Sequence, residues 1–498
     1  MRGLVATLLA AGGLIGLPAA AQTPAVAAPD DWGQALREDA RAFHDLIAQN
    51  HPGPVDPENP GFAPLLEEGL RTALARAETA TAYEDWYFAL QAFSASFNDG
   101  HLGLTQYARM DHEWRRRWPG FTTALRGDHA EVVFSPNADG PPVGARLVDC
   151  DGRDAEAVAA ELLGQGAGRW SLRSRRAALS PSLFIDYHDP YVTLPQTCRF
   201  VVGDEVRSWS LDWIAMSDAE EEAAYAAAAS DRFFTGVGLR RFEGGYWIEL
   251  GSFDPDATSE EGVQLVAARD AVAAEAEAIR EAGVVVFDLR GNNGGSSSWS
   301  EQIASSLWGE AWIAARRQGS DAVDWRVSPD NLETVASYEE LFADNPEIVA
   351  FVQRIVAGMT EAQTRGEALW RESLFEPQSE EATAEPEAPS EPLMRGRAYV
   401  LTDFGCASAC LDAVDILTAA GAVVIGQETS GDTVYMETRS EPLPSGRVRA
   451  YLPMKVYRGR PRGNNETVVP AHAWTGEMSD TAGLEAWVMQ LAGAAETP

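Results

Sequence analysis

Hydrophobic and polar positions change their period along the chain, and each change predicts a different kind of structure. From Asp30 to about Asn98 the apolar residues recur at spacings of three and four. In LREDARAFHDLIAQN, Leu36, Ala40, Phe43, Leu46 and Ile47 fall on one face, which predicts an amphipathic helical domain over residues 30–115. Short β-like runs follow, among them AEVVFSP and ARLVDC, and they define a β-rich segment over 116–230. Within it, Val143 to Gly152 reads as a strand ending in an Asp-Gly turn, and it leads into the helical AEAVAAELL. From about Phe233 apolar strands alternate with helices: GGYWIELGSF, VQLVAARDAVAAEAEAIREA, GVVVFDLR, SWSEQIASSLWG, RAYVLTD, ACLDAVDILTAA and AVVIGQE. That alternation predicts an α/β domain with crossover connections over 231–498. Glu376–Pro392 interrupts it with an acidic stretch that has no aromatic or β-branched apolar residue, predicted to be a disordered, solvated insertion.

Composition narrows the partners. The chain has 498 residues, and the hydrophobic share of 45% is ordinary for a globular protein. Its 75 acidic against 39 basic side chains give a formal net charge of -36. Such a surface repels nucleic acid and anionic membranes at long range. Only one of the basic residues is a lysine, Lys455.

The amino terminus reads as a secretory leader. Met1-Arg2, an apolar run from Gly3 to Leu17, and Pro18 before Ala19-Ala20-Ala21 form a charged start, a hydrophobic stretch and a small-residue cleavage site. The expectation is a signal peptide over 1–21 and export to a periplasmic or secreted location. The run is short for a span of ~20 residues, and no later stretch approaches that length, so no membrane span is expected after cleavage. An oxidising compartment permits disulfides. Cys150 and Cys198, both in strand-like segments, are the expected bridge, whereas a bond between Cys406 and Cys410, four apart at a helix start, is expected to strain the backbone. The alternative is that all four are buried small hydrophobes. The basic and aromatic patch at Trp114, Arg115, Arg116, Arg117 and Trp118 reads as a surface helix, the other reading being a binding place for a substrate carboxylate.

Two turns carry candidate chemistry. Asp288-Leu289-Arg290-Gly291-Asn292-Asn293-Gly294-Gly295 joins an apolar strand to a helix. It lacks the Gly-Lys-Ser/Thr ending of a phosphate loop and the G-x-G-x-x-G spacing of a dinucleotide site; an oxyanion hole is a third use of the same geometry. The second turn, Phe404-Gly405-Cys406-Ala407-Ser408-Ala409-Cys410, places Ser408 at a helix start, where the macrodipole favours negative charge. A serine is also an ordinary helix cap there. No metal-ligand spacing is present: there is no H-E-x-x-H, and Cys406 and Cys410 have no neighbouring histidine.

Taken together, Asp288-x-Arg290-x-Asn292-x-Gly294-Gly295, the small-residue turn around Ser408 and Gly426-x-x-Thr429-x-Gly431 resemble the C-terminal-processing (tail-specific) and tricorn-like serine peptidases. His51-Pro52 and Asp99-Gly100-His101 look like that family's amino-terminal half. The resemblance implies a crotonase-like α/β core of stacked ββα units, an N-terminal helical domain and a small β-rich middle segment. For that segment a PDZ-like module and a generic αβ unit are both open. The tail-specific members carry a base lysine where this chain has Asp432, so the resemblance is to a branch without that lysine. Tricorn-like members use an upstream histidine and a downstream glutamate, which implies His101 as general base to the nucleophile Ser408 and Glu466 as its acid. His472, in Pro470-Ala471-His472, is a reserve base. Ala409 and Gly294 or Gly295 are the implied oxyanion donors, with Asp288 and Arg290 bracing the glycine turn. The implied activity is hydrolysis of peptides or proteins through an acyl-enzyme, with no cofactor. A non-catalytic peptide or apolar-ligand binder on the same fold, and an esterase or amidase using the same nucleophile, are the alternatives.

Overall fold

A computed structural model describes residues 28–106, 112–228, 234–316, 320–343, 345–373 and 390–494. The expected leader and most of the acidic insertion lie outside the described residues. Helices α1 (Trp32–Asn50), α2 (Phe62–Ala77) and α3 (Tyr83–Ala95) open the chain. Asp31 caps α1 by accepting from the backbone N of Gln34 at 2.9 Å, and Leu36, Ala40, Phe43 and Ile47 are buried on one face, as their spacing predicts. After α3 the chain turns at Asn98, in left-handed conformation at φ 51°, and enters strand β1 (Gly103–Gln106).

The middle segment is a six-stranded antiparallel sheet, in the order β2 (Thr122–Arg126), β3 (His129–Phe134), β4 (Arg146–Cys150), β5 (Thr197–Val202), β6 (Glu205–Ser210), with the short strand Arg153–Asp154 also paired to β4. The Asp-Gly turn after β4 is formed by Asp151 and Gly152 at φ 51° and 78°, and Asp154 caps the helix that follows. Cys150 and Cys198 face each other across β4 and β5 and are bridged. The basic-aromatic patch differs from expectation. Arg117–Trp118 is a short strand paired with Ile214–Ala215, and the Trp118 ring is fully buried. Arg116 pairs with Asp218 and Glu221, and Arg117 with Asp186. Pro119 pushes the residue before it towards extended backbone, so the patch cannot continue as a helix, and acids already occupy the cations of Arg116 and Arg117.

The remainder builds two sheets. The first has the order β7 (Val237–Phe242), β8 (Gly245–Leu250), β9 (Val284–Asp288), β12 (Arg397–Thr402), β13 (Val423–Gly426), β16 (His472–Ala473), parallel throughout except β7 against β8. Helices α4 (Glu260–Ala274), α5 (Ser298–Trp308) and α8 (Ala409–Ala420) pack on one face, and α9 (Thr481–Ala494) covers the other. All five residues of β9 are buried, which explains its unbroken apolar run. The second sheet is antiparallel: β1, β15 (Val448–Arg458), β10 (Ala322–Arg326) and β11 (Leu369–Ser373) in order, with β14 (Tyr435–Pro442) also on β15. Helices α6 (Pro329–Leu341) and α7 (Pro346–Thr364) back this sheet.

The N-terminal helices share their core with this second sheet, through Tyr435, Val448, Ala450, Leu452 and Val456. Asp39 of α1 fastens the two, accepting from Trp86 Nε1 at 2.8 Å and from the backbone N of Ser445, in the β14–β15 hairpin, at 2.9 Å. The strand β1 that follows His101 is therefore held by a sheet formed far later in the chain. No helix among the described residues is long and apolar enough to cross a membrane.

The single lysine belongs to this sheet. Lys455 is buried on β15, its Nζ 3.2 Å from Glu437 Oε2 and 4.9 Å from the centre of the Trp325 ring. Burial disfavours its charge, but Tyr457 and Glu437 outweigh that and raise its pKa. Removing one partner of such a pair leaves an uncompensated buried charge. Glu437→Ala is expected to cost about 3–5 kcal/mol in urea unfolding, and a loss below about 1 kcal/mol would show that the pair is solvated.

Candidate active site

Strands β9 and β12 run parallel, with Asp288 opposite Leu401, so the turns that follow them leave the same edge of the sheet. One is the glycine turn and the other carries Ser408. Ligands in open α/β sheets bind at this carboxyl edge.

The glycine turn is braced from beneath. Arg290 lies against Asp288 in a two-point ion pair, Nε to Oδ1 at 2.8 Å and Nη2 to Oδ2 at 2.5 Å, and also donates to the carbonyl of Met478. Trp247 Nε1 donates to the same carboxylate at 2.9 Å. Both Asp288 and Arg290 are fully buried, so they shape the turn rather than touch a ligand. Asp403 ties the two turns together, accepting from the backbone N of Gly291 and of Gly405, each at 2.8 Å. Burial pushes its carboxyl up to about 6.

Ser408 stands immediately before α8 at φ 54°, ψ -125°, a conformation unfavourable for any residue with a Cβ. Its hydroxyl has no hydrogen-bond partner among the described residues. Gly294 lies directly against it: a Cβ there would sit 2.7 Å from Ser408 Cβ and 3.0 Å from the N of Ala409. The bonds of the glycine turn narrow the expected pair of oxyanion donors. Gly294 already donates its N–H to Asn292 Oδ1 at 2.8 Å, which leaves Gly295 and Ala409 as the N–H groups without a partner among the described residues.

The cysteine expectation is also corrected. Cys406 and Cys410 are bridged, with Cα atoms 5.3 Å apart, inside the usual range. The sharp turn at Ser408 brings their side chains together, which a regular helical start would not do.

His101 lies in the turn between α3 and β1. Its backbone N donates to Asp99 Oδ1 at 2.8 Å, and its Nδ1 is 3.3 Å from Thr433 Oγ1 and 3.7 Å from Asp432 Oδ1. The Thr433 hydroxyl donates in turn to Asp99 Oδ1 at 3.0 Å. Behind Asp99, buried His51 places Nε2 3.8 Å from Asp99 Oδ2, its Nδ1 accepting from the N of Gly53. Burial disfavours the charged forms of both. It lowers the His51 pKa, whereas in Asp99 the neighbouring His51 and His101 outweigh it and hold the carboxyl low.

The turns that carry His101 and Ser408 are tied by bonds from the segment after β13. Ser430 N donates to the carbonyl of Cys406 at 3.0 Å. Arg460 reaches Asp432 Oδ2 at 3.2 Å and Asp412 Oδ1, on the first turn of α8, at 3.3 Å. Arg169, from the middle segment, donates its N–H to Asn98 Oδ1 at 2.7 Å, its Nε to Asn465 Oδ1 at 2.8 Å and a guanidinium N–H to the carbonyl of Gly431 at 2.5 Å. Asp432, Thr433, Arg460 and Arg169 were not assigned roles from sequence. Arg169 stands 71 positions from Asn98 and 262 and 296 from Gly431 and Asn465, and belongs to no local pattern.

Glu466 and His472 are placed differently from His101. Glu466 is exposed and accepts the backbone N–H of Gly463 at 2.8 Å, capping its own turn. His472 is exposed on β16, opposite Ile425. Neither has a hydrogen bond to Ser408 or His101 among the described residues.

Residues 248–468 match the model of Peptidase family S41. This stretch is a peptidase family S41 domain. The S41 domain spans the glycine turn, Ser408, Asp432 and Glu466, while His101 lies before it. Across the whole fold, the chain is similar to the crystal structure of mature CPAF, with a TM-score of 0.59 at 13% identity over 94% of this chain and 99% of that one. Mature CPAF complexed with lactacystin gives 0.58 at 14% identity, over 93% and 99%. At these identities the likeness is one of fold. No curated protein matches the chain significantly. The matched stretch makes 248–468 a serine peptidase domain.

The backbone at Ser408 generates a prediction that needs no substrate. Glycine adopts its φ and ψ without penalty, so Ser408→Gly is expected to be more stable than Ser408→Ala by about 1 kcal/mol in thermal unfolding. Equal or lower stability for the glycine variant would mean that the turn is relaxed.

Proposed function

We propose that the chain is an exported serine peptidase in which Ser408 is the nucleophile and His101 the general base. The observation that carries this reading is the free hydroxyl of Ser408, held in a strained turn between unpartnered N–H groups and a helix N-terminus, with a histidine-bearing turn tied to the same loops. In the proposed reaction Ser408 Oγ attacks the acyl carbon of a peptide bond while His101 Nε2 takes its proton. The N–H groups of Ala409 and Gly295 receive the negative charge that develops on the carbonyl oxygen, assisted by the dipole of α8. His101 then protonates the leaving amine, and water attacks the acyl-enzyme by the reverse route. The substrate is a peptide or protein. The leader-like amino terminus and two disulfides support export to an oxidising compartment.

Two carboxylates compete for the place behind His101. Glu466 is the acid implied by the family resemblance. The observed Nδ1 contacts favour Asp432, with Asp99 acting through Thr433, because a carboxylate at that nitrogen fixes the tautomer whose Nε2 accepts a proton. On this second reading Asp432→Asn lowers kcat by about 100-fold or more and Glu466→Gln by less than about tenfold, measured on a quenched peptide substrate. The opposite ranking returns the role to Glu466. In the same assay Ser408→Ala and His101→Ala are each expected to lose at least about 10⁴-fold, and full activity in either would end the assignment.

A further inference from the structure

The bridge between Cys406 and Cys410 lies outside the reaction just described, yet it encloses the residue on which that reaction depends. Ser408 is the middle residue of the five that the bridge closes, and both cysteines are fully buried, their side chains part of the core beneath α8. The backbone bonds of the turn are few. Cys406 donates to the carbonyl of Asp403 at 3.2 Å and accepts from Ser430 at 3.0 Å, Ala407 accepts from Cys410 at 3.1 Å, and Ser408 accepts from Leu411 at 2.9 Å and from Asp412 at 3.4 Å. The last three are the ordinary first bonds of α8 and form equally well with a helical residue at position 408. They do not require φ 54°.

The positive φ is unfavourable for a residue with a Cβ. A turn free to relax would relieve this by rotating Ser408, and rotation moves the hydroxyl and the N–H of Ala409 together. A displacement of about 1 Å at a reacting group is enough to cost about 100-fold in rate.

We propose that the Cys406–Cys410 disulfide is a positioning element that holds Ser408 in its attacking conformation, so that the peptidase is active when the bridge is formed and slow when it is reduced. This rests on Ser408 being the nucleophile. Reduction by a dithiol balances as a thiol–disulfide exchange: the Sγ–Sγ bond breaks, the reductant's two thiols give up two protons and two electrons and close to a disulfide, and Cys406 and Cys410 become thiols. A chain made in a reducing compartment would then stay slow and gain activity where disulfides form.

The test compares wild type, Cys406→Ala/Cys410→Ala and, as control, Cys150→Ala/Cys198→Ala, the bridges being verified by mass spectrometry of unreduced peptides. The double variant at 406 and 410 is expected to lose about 10- to 100-fold in kcat with KM within about threefold, and to react with a fluorophosphonate more slowly by a similar factor. The control is expected to keep its kcat within about twofold. Folding of each variant is followed by circular dichroism. Should the 406/410 variant not fold, wild type treated with dithiothreitol under native conditions takes its place, with the same loss expected and recovery on reoxidation by oxidised glutathione. Unchanged kcat and labelling rate without the bridge overturn the proposal. Absence of any labelling at Ser408 in bridged wild type overturns instead the assignment of the nucleophile.

Discussion

The parallel pairing of β9 with β12 is the constraint from which the site follows. It brings two turns out of one sheet edge side by side, and the space between them is so small that only glycine fits at position 294. Ser408 therefore meets a wall of backbone rather than side chains. A backbone wall can present N–H groups to a developing oxyanion without reorganising. The strain at Ser408 is the other side of this fit. A relaxed helical start would turn the hydroxyl away, and the bridge proposed to prevent this is anchored in the core beneath α8.

The histidine proposed as general base comes from far off in the chain. His101 comes from the N-terminal helical region, whose position is set by a shared core with β14 and β15 and by the buried carboxylate of Asp39. Its turn is then clasped by Arg169 of the middle segment, while Arg460 links the Asp432 loop to the first turn of α8. All three parts of the chain thus contribute to one site, and each contribution is a charge-assisted or buried hydrogen bond with few alternatives. The lone lysine sits in the second sheet, paired with Glu437, and cannot act as the base at Ser408 while it is held there.

Much of the α/β framework was legible because period and punctuation agree in it. The run ACLDAVDILTAA corresponds to α8, and VVVFD and RAYVLT to the buried strands beside it. VQLVAARDAVAAEAEAIREA was expected as one helix and is interrupted at Glu275. The antiparallel second sheet and its two backing helices leave little local signal, since β14 and β15 alternate only in part and β15 pairs with β1, more than 300 positions earlier in the chain. At the site, Ser408, His101 and the glycine turn sit in recognisable local contexts. The oxyanion assignment shifted because Asn292 takes the N–H of Gly294, and the Cys406–Cys410 bridge was discounted because regular helical geometry was assumed where a positive φ occurs. The contacts of Asp432 and Arg169 depend on tertiary approach and leave no local signal.

The central claim is that a hydroxyl held by backbone strain and served by a histidine from a distant domain performs the chemistry. It is tested most directly by treating the full-length protein with a fluorophosphonate and mapping the adduct by peptide mass spectrometry. One adduct per chain is expected, on Ser408, formed much more slowly in His101→Ala. An adduct on another residue, none at all, or a labelling rate unaffected by loss of His101 would contradict the claim.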